Sequence, residues 1–151
     1  MHDMRQALRT IAVFALAGIG ISLYALLLKQ GVADGTACTI GESFDCDIVN
    51  QSSYSIIMGI PVSLLGILGY AFMGAAAVLL FFKPHDRGVL RFLLLAATGG
   101  LLFSLYLTSI EAFVLYAWCI LCLTSQALIL SIFFMSLFVW RRSRSTAPSG
   151  E

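Results

Sequence analysis

The residues most able to do chemistry in this chain are its four cysteines, which fall into two pairs of different kind. Cys38 and Cys46 have seven residues between them, in a stretch containing Glu42 and Asp45, whereas Cys119-Ile120-Leu121-Cys122 is a C-x-x-C inside an apolar run. Residues three apart on a helix are neighbours, with Cβ atoms about 5–6 Å apart. A modest adjustment of a first turn brings them to the ~3.8 Å Cβ separation of a disulfide. At a helix N-terminus, unpaired N–H groups and the macrodipole also favour the thiolate, the form that attacks disulfides. A lone buried cysteine is usually just a small hydrophobe, and two pairs weigh against that. A four-thiolate zinc site is disfavoured, because zinc pairs are usually two to four residues apart; no metal is expected. A purely structural Cys38–Cys46 staple stays open.

The elements that hold these residues are set by hydropathy. Of 151 residues, 60% are hydrophobic and only 11% charged, with a mean hydropathy of +0.94. A soluble domain carries about 25% charged residues, so water could not solvate a compact form of this chain. Disorder is excluded by the same numbers, and a net charge of +1 excludes a polycationic nucleic-acid binder. Four apolar runs cover residues 11–28, 56–82, 89–113 and 117–140. Each approaches or exceeds the ~20 residues that cross a ~30 Å hydrocarbon core, where backbone groups must pair within their own segment. The pattern predicts an all-α integral membrane protein, a bundle of four transmembrane helices over residues 1–140 with a disordered tail over 141–151. Arg5 and Arg9 ahead of the first run would suit an export signal, but its 18 residues exceed the usual 7–15 of the apolar core of such a signal. It is read as a helix.

Charge fixes the expected orientation. Eight of the nine Lys and Arg residues lie at the N-terminus (Arg5, Arg9), in the second connection (Lys83, Arg87, Arg91) or in the tail (Arg141, Arg142, Arg144). Lys29 alone borders the opposite side, beside a loop with Asp34, Glu42, Asp45 and Asp47. The positive-inside rule then puts both termini in the cytoplasm and all four cysteines at or near the outer face, where an oxidising compartment favours disulfide chemistry. A rise of 1.5 Å per residue sets Cys122 about 4.5 Å deeper than Cys119. One thiol then faces the aqueous loop and the other the membrane interior.

Small and polar residues sketch the packing. At 100° per residue, Gly59, Ser63, Gly66 and Gly74 share one sector of the second helix, a stripe that lets another backbone approach. Gly100, Ser104, Thr108 and Glu111 cluster on the third, with Glu111 expected near water at the outer interface. Gln126 lies one turn beyond Cys122 on the same face, where it either bonds a neighbouring helix or lines a pocket. His2 and His85 fall on the inner side, far from the cysteines.

Cys38-x7-Cys46, followed by Asp47-Ile48-Val49-Asn50-Gln51-Ser52, Gly59-Ile60-Pro61-Val62-Ser63 and Cys119-x-x-Cys122, closely resembles the bacterial vitamin K epoxide reductase family. The resemblance runs from about Ile11 to Trp140. It implies a four-helix bundle enclosing a quinone (ubiquinone or menaquinone), with thiol electrons passed to that quinone as in DsbB-type enzymes. It further implies residence in the bacterial inner membrane. Many bacterial members carry a fused thioredoxin-like domain that this chain lacks, so the implied partner is a separate periplasmic thioredoxin-fold (DsbA-like) protein. By the same resemblance Cys38 and Cys46 form a shuttle disulfide exposed on a mobile loop. Cys46 attacks Cys119, and Cys122 faces the quinone. Ser52 and Ser55 resemble positions near the quinone. Where vertebrate members carry a quinone-contacting Tyr, four residues after the second C-x-x-C cysteine, this chain has Gln126, compatible with a simple quinone.

Two other readings stand beside this one. In the first, the protein is a non-enzymatic four-helix scaffold whose loop disulfide holds an outward binding surface; the C-x-x-C speaks against it. In the second, a thiol exporter runs the same chemistry toward partner disulfides.

Overall fold

The computed structural model describes residues 2–33, 38 and 44–145. In chain order the elements are α1 (His2–Lys29), a short α2 (Cys46–Gln51), a single 3-10 turn (Ser53–Ser55), β1 (Ile56–Ile57), β2 (Ile60–Pro61), α3 (Val62–Phe82), α4 (Arg87–Ile110) and α5 (Ile120–Ser145). A π-helical turn over Glu111–Leu115 continues α4. Among the described residues, α1, α3, α4 with its π turn, and α5 are long and apolar enough to cross a membrane. The protein is an all-α membrane bundle. Where α4 leaves the polar connection, Asp86 caps it by accepting from the N–H groups of Gly88 and Val89 at 3.0 and 3.2 Å. That satisfies two of the donors a helix start leaves unpaired.

Three boundaries differ from the hydropathy runs. Residues 56–61 are a hairpin rather than the start of a helix, with Ile56 opposite Pro61 and Ile57 opposite Ile60. Its two turn residues, Met58 (φ 52°) and Gly59 (φ 83°), are both left-handed, as a tight two-residue hairpin requires. Gly59 therefore leaves the helix stripe. Ala117, Trp118 and Cys119 precede α5 instead of opening it. At its other end α5 continues through Arg141–Ser145, so the expected tail is helical there; residues 146–151 lie outside the described residues, as do Asp34 and Glu42.

Close packing of α1 on α3 rests on small residues. A Cβ at Gly66 would lie 2.6 Å from Ser22 Oγ, and one at Gly18 2.6 Å from the Tyr70 ring. Only hydrogen fits at these crossings. Two apolar clusters result. The larger fills the half of the bundle nearer the termini, around Leu8, Ile11, Ala77, Leu80, Leu93 and Ile132. The smaller, at the opposite end, is built on Leu28, Val49, Ala117 and three cysteines, Cys38, Cys46 and Cys119. The basic residues other than Lys29 lie toward the end with the termini, where Arg142 pairs with Asp3 at 3.4 Å. Arg5 and Arg9 lie there over the Phe81 ring, 5.6 and 5.2 Å from its centroid.

Candidate redox site and adjoining cavity

Local capping places each cysteine. Cys46 is the first residue of α2, and Asp45 before it caps the helix through the N–H groups of Asp47 and Ile48 at 2.9 and 3.2 Å. The Asn50 amide donates to the Cys46 carbonyl at 3.0 Å. The Asp45 N–H donates to the Trp118 carbonyl at 3.1 Å, and Phe44 and Trp118 form a parallel bridge. These contacts draw the segment carrying Cys46 onto the α4–α5 connection. Cys38 and Cys46 are joined as a disulfide with Cα atoms 5.7 Å apart, while Cys119 and Cys122 are free thiols.

Cys119 stands immediately before the first residue of α5, and its sulfur does the capping. The Cys122 N–H donates to Cys119 Sγ at 3.4 Å. The hydrogen bond with the Cys122 side chain, joined by the N–H groups of Cys122 and Leu121, holds the Cys119 thiol below the ordinary cysteine value. Burial and the nearby Glu111 charge oppose this. Cys119 Sγ lies 3.5 Å from Cys46 Sγ, and both residues are 0% exposed. A thiolate in contact with a disulfide sulfur is the arrangement thiol–disulfide exchange needs.

Beyond Cys122 an apolar cavity of about 200 Å³ opens between the four long helices. Its wall is mainly apolar, and the polar groups on it include Asn50, Ser52 and Ser55 from the segment after Cys46, Lys29 from the end of α1, Glu111 from the π turn, and Cys122 from α5. An apolar chamber with few placed polar groups is the usual form of a small-ligand site. Its volume is below the ~300–1,000 Å³ of drug-sized pockets, which suits a single ring system. The residues fit a quinone headgroup, since a redox thiol forms part of the wall and hydrogen-bonding groups stand opposite apolar side chains.

The structure brings Cys38, Cys46, Cys119 and Cys122 together, and puts Ser52 and Ser55 on the cavity wall. Other expectations need correction. The Cys38–Cys46 bridge is buried, with Cys38 2% exposed, because the smaller apolar cluster and the Asp45–Trp118 bond cover a segment expected to be exposed. The serine hydroxyl protons are engaged with backbone. Ser52 Oγ donates to the Val49 carbonyl at 2.7 Å, and Ser55 Oγ lies 2.5 and 2.7 Å from the Asn50 and Ser52 carbonyls. Gln126 does not line the cavity. Its amide oxygen accepts from Thr108 Oγ1, so it bonds the neighbouring helix. Glu111 is 2% exposed rather than watered, and its Oε2 accepts the Cys119 N–H at 3.2 Å.

Sequence reasoning missed Lys29 as a site residue. Its Nζ donates to the Asn50 carbonyl at 2.9 Å and to Ser55 Oγ at 2.5 Å, which uses two of an ammonium's three donors. The signal was present, since Lys29 is the one basic residue set apart from the other eight. Tyr70 was also missed; its hydroxyl meets the Ser125 carbonyl and Oγ, each at 2.8 Å, across the cavity floor.

Comparison with known proteins agrees with this geometry. The model of the Vitamin K epoxide reductase family matches residues 9–137. The vitamin K epoxide reductase complex subunit 1 of Rattus norvegicus is 30% identical over 135 residues, covering 80% of this chain and 83% of the relative. Its counterpart in Mus musculus is 29% identical over the same extent.

Proposed function

The chain belongs to the vitamin K epoxide reductase family, which makes it a membrane thiol–disulfide oxidoreductase coupled to a quinone, and from that premise we propose that it oxidises a separate thioredoxin-fold protein outside the cytoplasm. Electrons enter at Cys38–Cys46, pass to Cys119 and Cys122, and leave to ubiquinone or menaquinone, so that the protein supports disulfide-bond formation. The observation that carries this reading is the 3.5 Å contact between Cys119 Sγ and Cys46 Sγ, with Cys122 on the cavity wall behind it.

The steps balance. A partner thiolate attacks Cys38 and its second thiol resolves the mixed disulfide, leaving the partner oxidised and Cys38 and Cys46 reduced. Cys46, losing its proton, then attacks Cys119 of the Cys119–Cys122 disulfide and releases Cys122, which takes up a proton as it leaves. Cys38 attacks Cys46 in turn, which restores the loop disulfide and expels Cys119. A leaving thiol of low pKa departs faster, and Cys119 is held low by its hydrogen bonds. The state reached, with Cys38–Cys46 joined and the helix pair free, is the redox state of this structure. A bound quinone supplies a two-electron, two-proton acceptor. Lys29 is placed to hold a carbonyl oxygen with its third donor, and the apolar wall excludes water.

Placement in the bacterial cytoplasmic membrane with both termini inside is supported by the basic residues sharing the end that carries Asp3 and Arg142. The rodent relatives are named for epoxide reduction. In this chain Gln126 is committed to Thr108, and the reading is of a simple quinone. The test is detergent-purified protein with a reduced thioredoxin-fold protein and ubiquinone or menaquinone. One quinol per partner disulfide is expected; no quinol from either quinone would overturn the reading.

A further inference from the structure

A buried carboxyl stands where the relay meets the cavity, and the steps above make no use of it. Glu111 opens the π-helical turn at the end of α4, an irregularity frequent at functional sites. It is 2% exposed, and its Oε2 accepts the Cys119 N–H at 3.2 Å. Its side chain also interacts with the Cys122 thiol, and it lines the same cavity. Among the described residues the one ion pair joins Arg142 to Asp3 at the far end of the bundle, so no salt bridge explains this carboxyl. An ionisable group at such depth is costly and marks a functional path by default.

We propose that Glu111 is the proton carrier of the helix pair, taking the Cys122 thiol proton and giving it to an oxygen of the quinone. The proposal rests on the quinone reading above. Closing Cys119–Cys122 releases two electrons and two protons, and both must reach the acceptor for quinol to form. As carboxylate, Glu111 accepts the Cys122 proton and leaves a thiolate to react; as carboxylic acid, it delivers that proton into the cavity. The Cys119 proton follows by the same carboxyl, which already sits on the Cys119 backbone. An apolar cavity contains little water for either transfer, so a carrier on its wall is needed. The other titratable groups on the cavity are Lys29 from α1, Tyr54 from the 3-10 turn and Tyr70 from α3. Lys29 is bound to Asn50 and Ser55, and Tyr70 to Ser125. Glu111 is the member of this set that interacts with both thiols.

The test separates proton transfer from charge and from capping. Glu111→Gln keeps an oxygen for the Cys119 N–H but carries neither charge nor proton. In quinone-free protein, removing the carboxylate beside the Cys122 thiol removes a like charge from its thiolate, so alkylation of Cys122 at neutral pH should speed up by about 10-fold. Mixed with quinone in a single turnover, the same pre-reduced variant should form quinol about 100-fold or more slowly, the usual contribution of a general acid–base group. Glu111→Asp, which keeps the proton, should recover most of the rate. Opposite movement of the two readouts is the signature; a charge or capping role moves them together. Quinol formation by Glu111→Gln at the wild-type rate, or unchanged alkylation, would sink the proposal. If the wild-type protein itself forms no quinol, the quinone reading fails and takes this proposal with it, whereas a failure confined to the Glu111 comparison overturns the proposal alone.

Discussion

The backbone N–H of Cys122 donates to Cys119 Sγ at 3.4 Å, so the sulfur that contacts Cys46 is also the cap of α5. Capping groups are normally the oxygens of Ser, Thr, Asp or Asn. Here sulfur takes the position, and the N–H groups that favour its thiolate are the ones the helix leaves unpaired. The C-x-x-C is thus read by the fold as two roles: Cys119 as cap and exchange partner, Cys122 as part of the cavity wall.

The first prediction concerns the relay. Cys119→Ala should block transfer from the loop pair, and Cys38 and Cys46 should accumulate as dithiols when reduced partner is supplied. Counting alkylated thiols by mass reads this directly. Loop cysteines that still return to disulfide with quinone as sole oxidant would show that electrons bypass Cys119. In wild-type protein the depressed Cys119 value has a definite sign. Thiolate, and with it the exchange rate, should persist as pH falls below the ~8.5 of free cysteine and be lost only through the lower folded value.

Cys122→Ser should abolish quinol formation while leaving Cys119 able to hold Cys46 as a stable mixed disulfide. The motive is position, since Cys122 lines the cavity and Cys119 does not. Non-reducing electrophoresis after a protease cut between the two cysteines detects the trapped link. Substantial quinol from this variant would remove Cys122 from the mechanism.

Gly18→Ala tests the crossing of α1 and α3. The new methyl would lie 2.6 Å from the Tyr70 ring, and overpacking of this kind costs about 1–3 kcal/mol. The ring is also tied to Ser125, so the push should narrow the cavity. Lower thermal stability with a raised KM for quinone is expected; an unchanged melting temperature would mean that α1 yields instead.

For orientation, Met58 is the natural reporter, being 97% exposed at the hairpin tip. Met58→Cys should be labelled by a membrane-impermeant maleimide on intact cells. Labelling only after lysis would invert the topology and the redox assignment with it.

Much of this fold is legible in sequence because a bilayer leaves the chain few choices. Long apolar runs must be helices, and the C-x-x-C spacing keeps the two thiols within reach of each other. What escaped has equally physical causes. The Met58–Gly59 turn hides within an apolar run, since left-handed backbone at Met58 has no composition signal. Gln126 faces Thr108 rather than the cavity because helix rotation is decided by packing on neighbours, not by spacing along its own helix. Burial of Cys46 depends on Asp45 reaching Trp118, a contact 73 positions away in the chain, which no local pattern announces.

The covering of the Cys38–Cys46 bridge has a consequence for fidelity. A conductor of electrons between two pools must not leak to bystanders, and any small thiol that reached these sulfurs would short-circuit the chain. With Leu28, Val49 and Ala117 packed over them, adventitious reductants are kept out by sterics. For the separate thioredoxin-fold donor proposed above, entry would then mean drawing the bridge from beneath this cover. Selectivity for the electron donor would on this view be a matter of kinetic access, independent of the reduction potential that drives the flow.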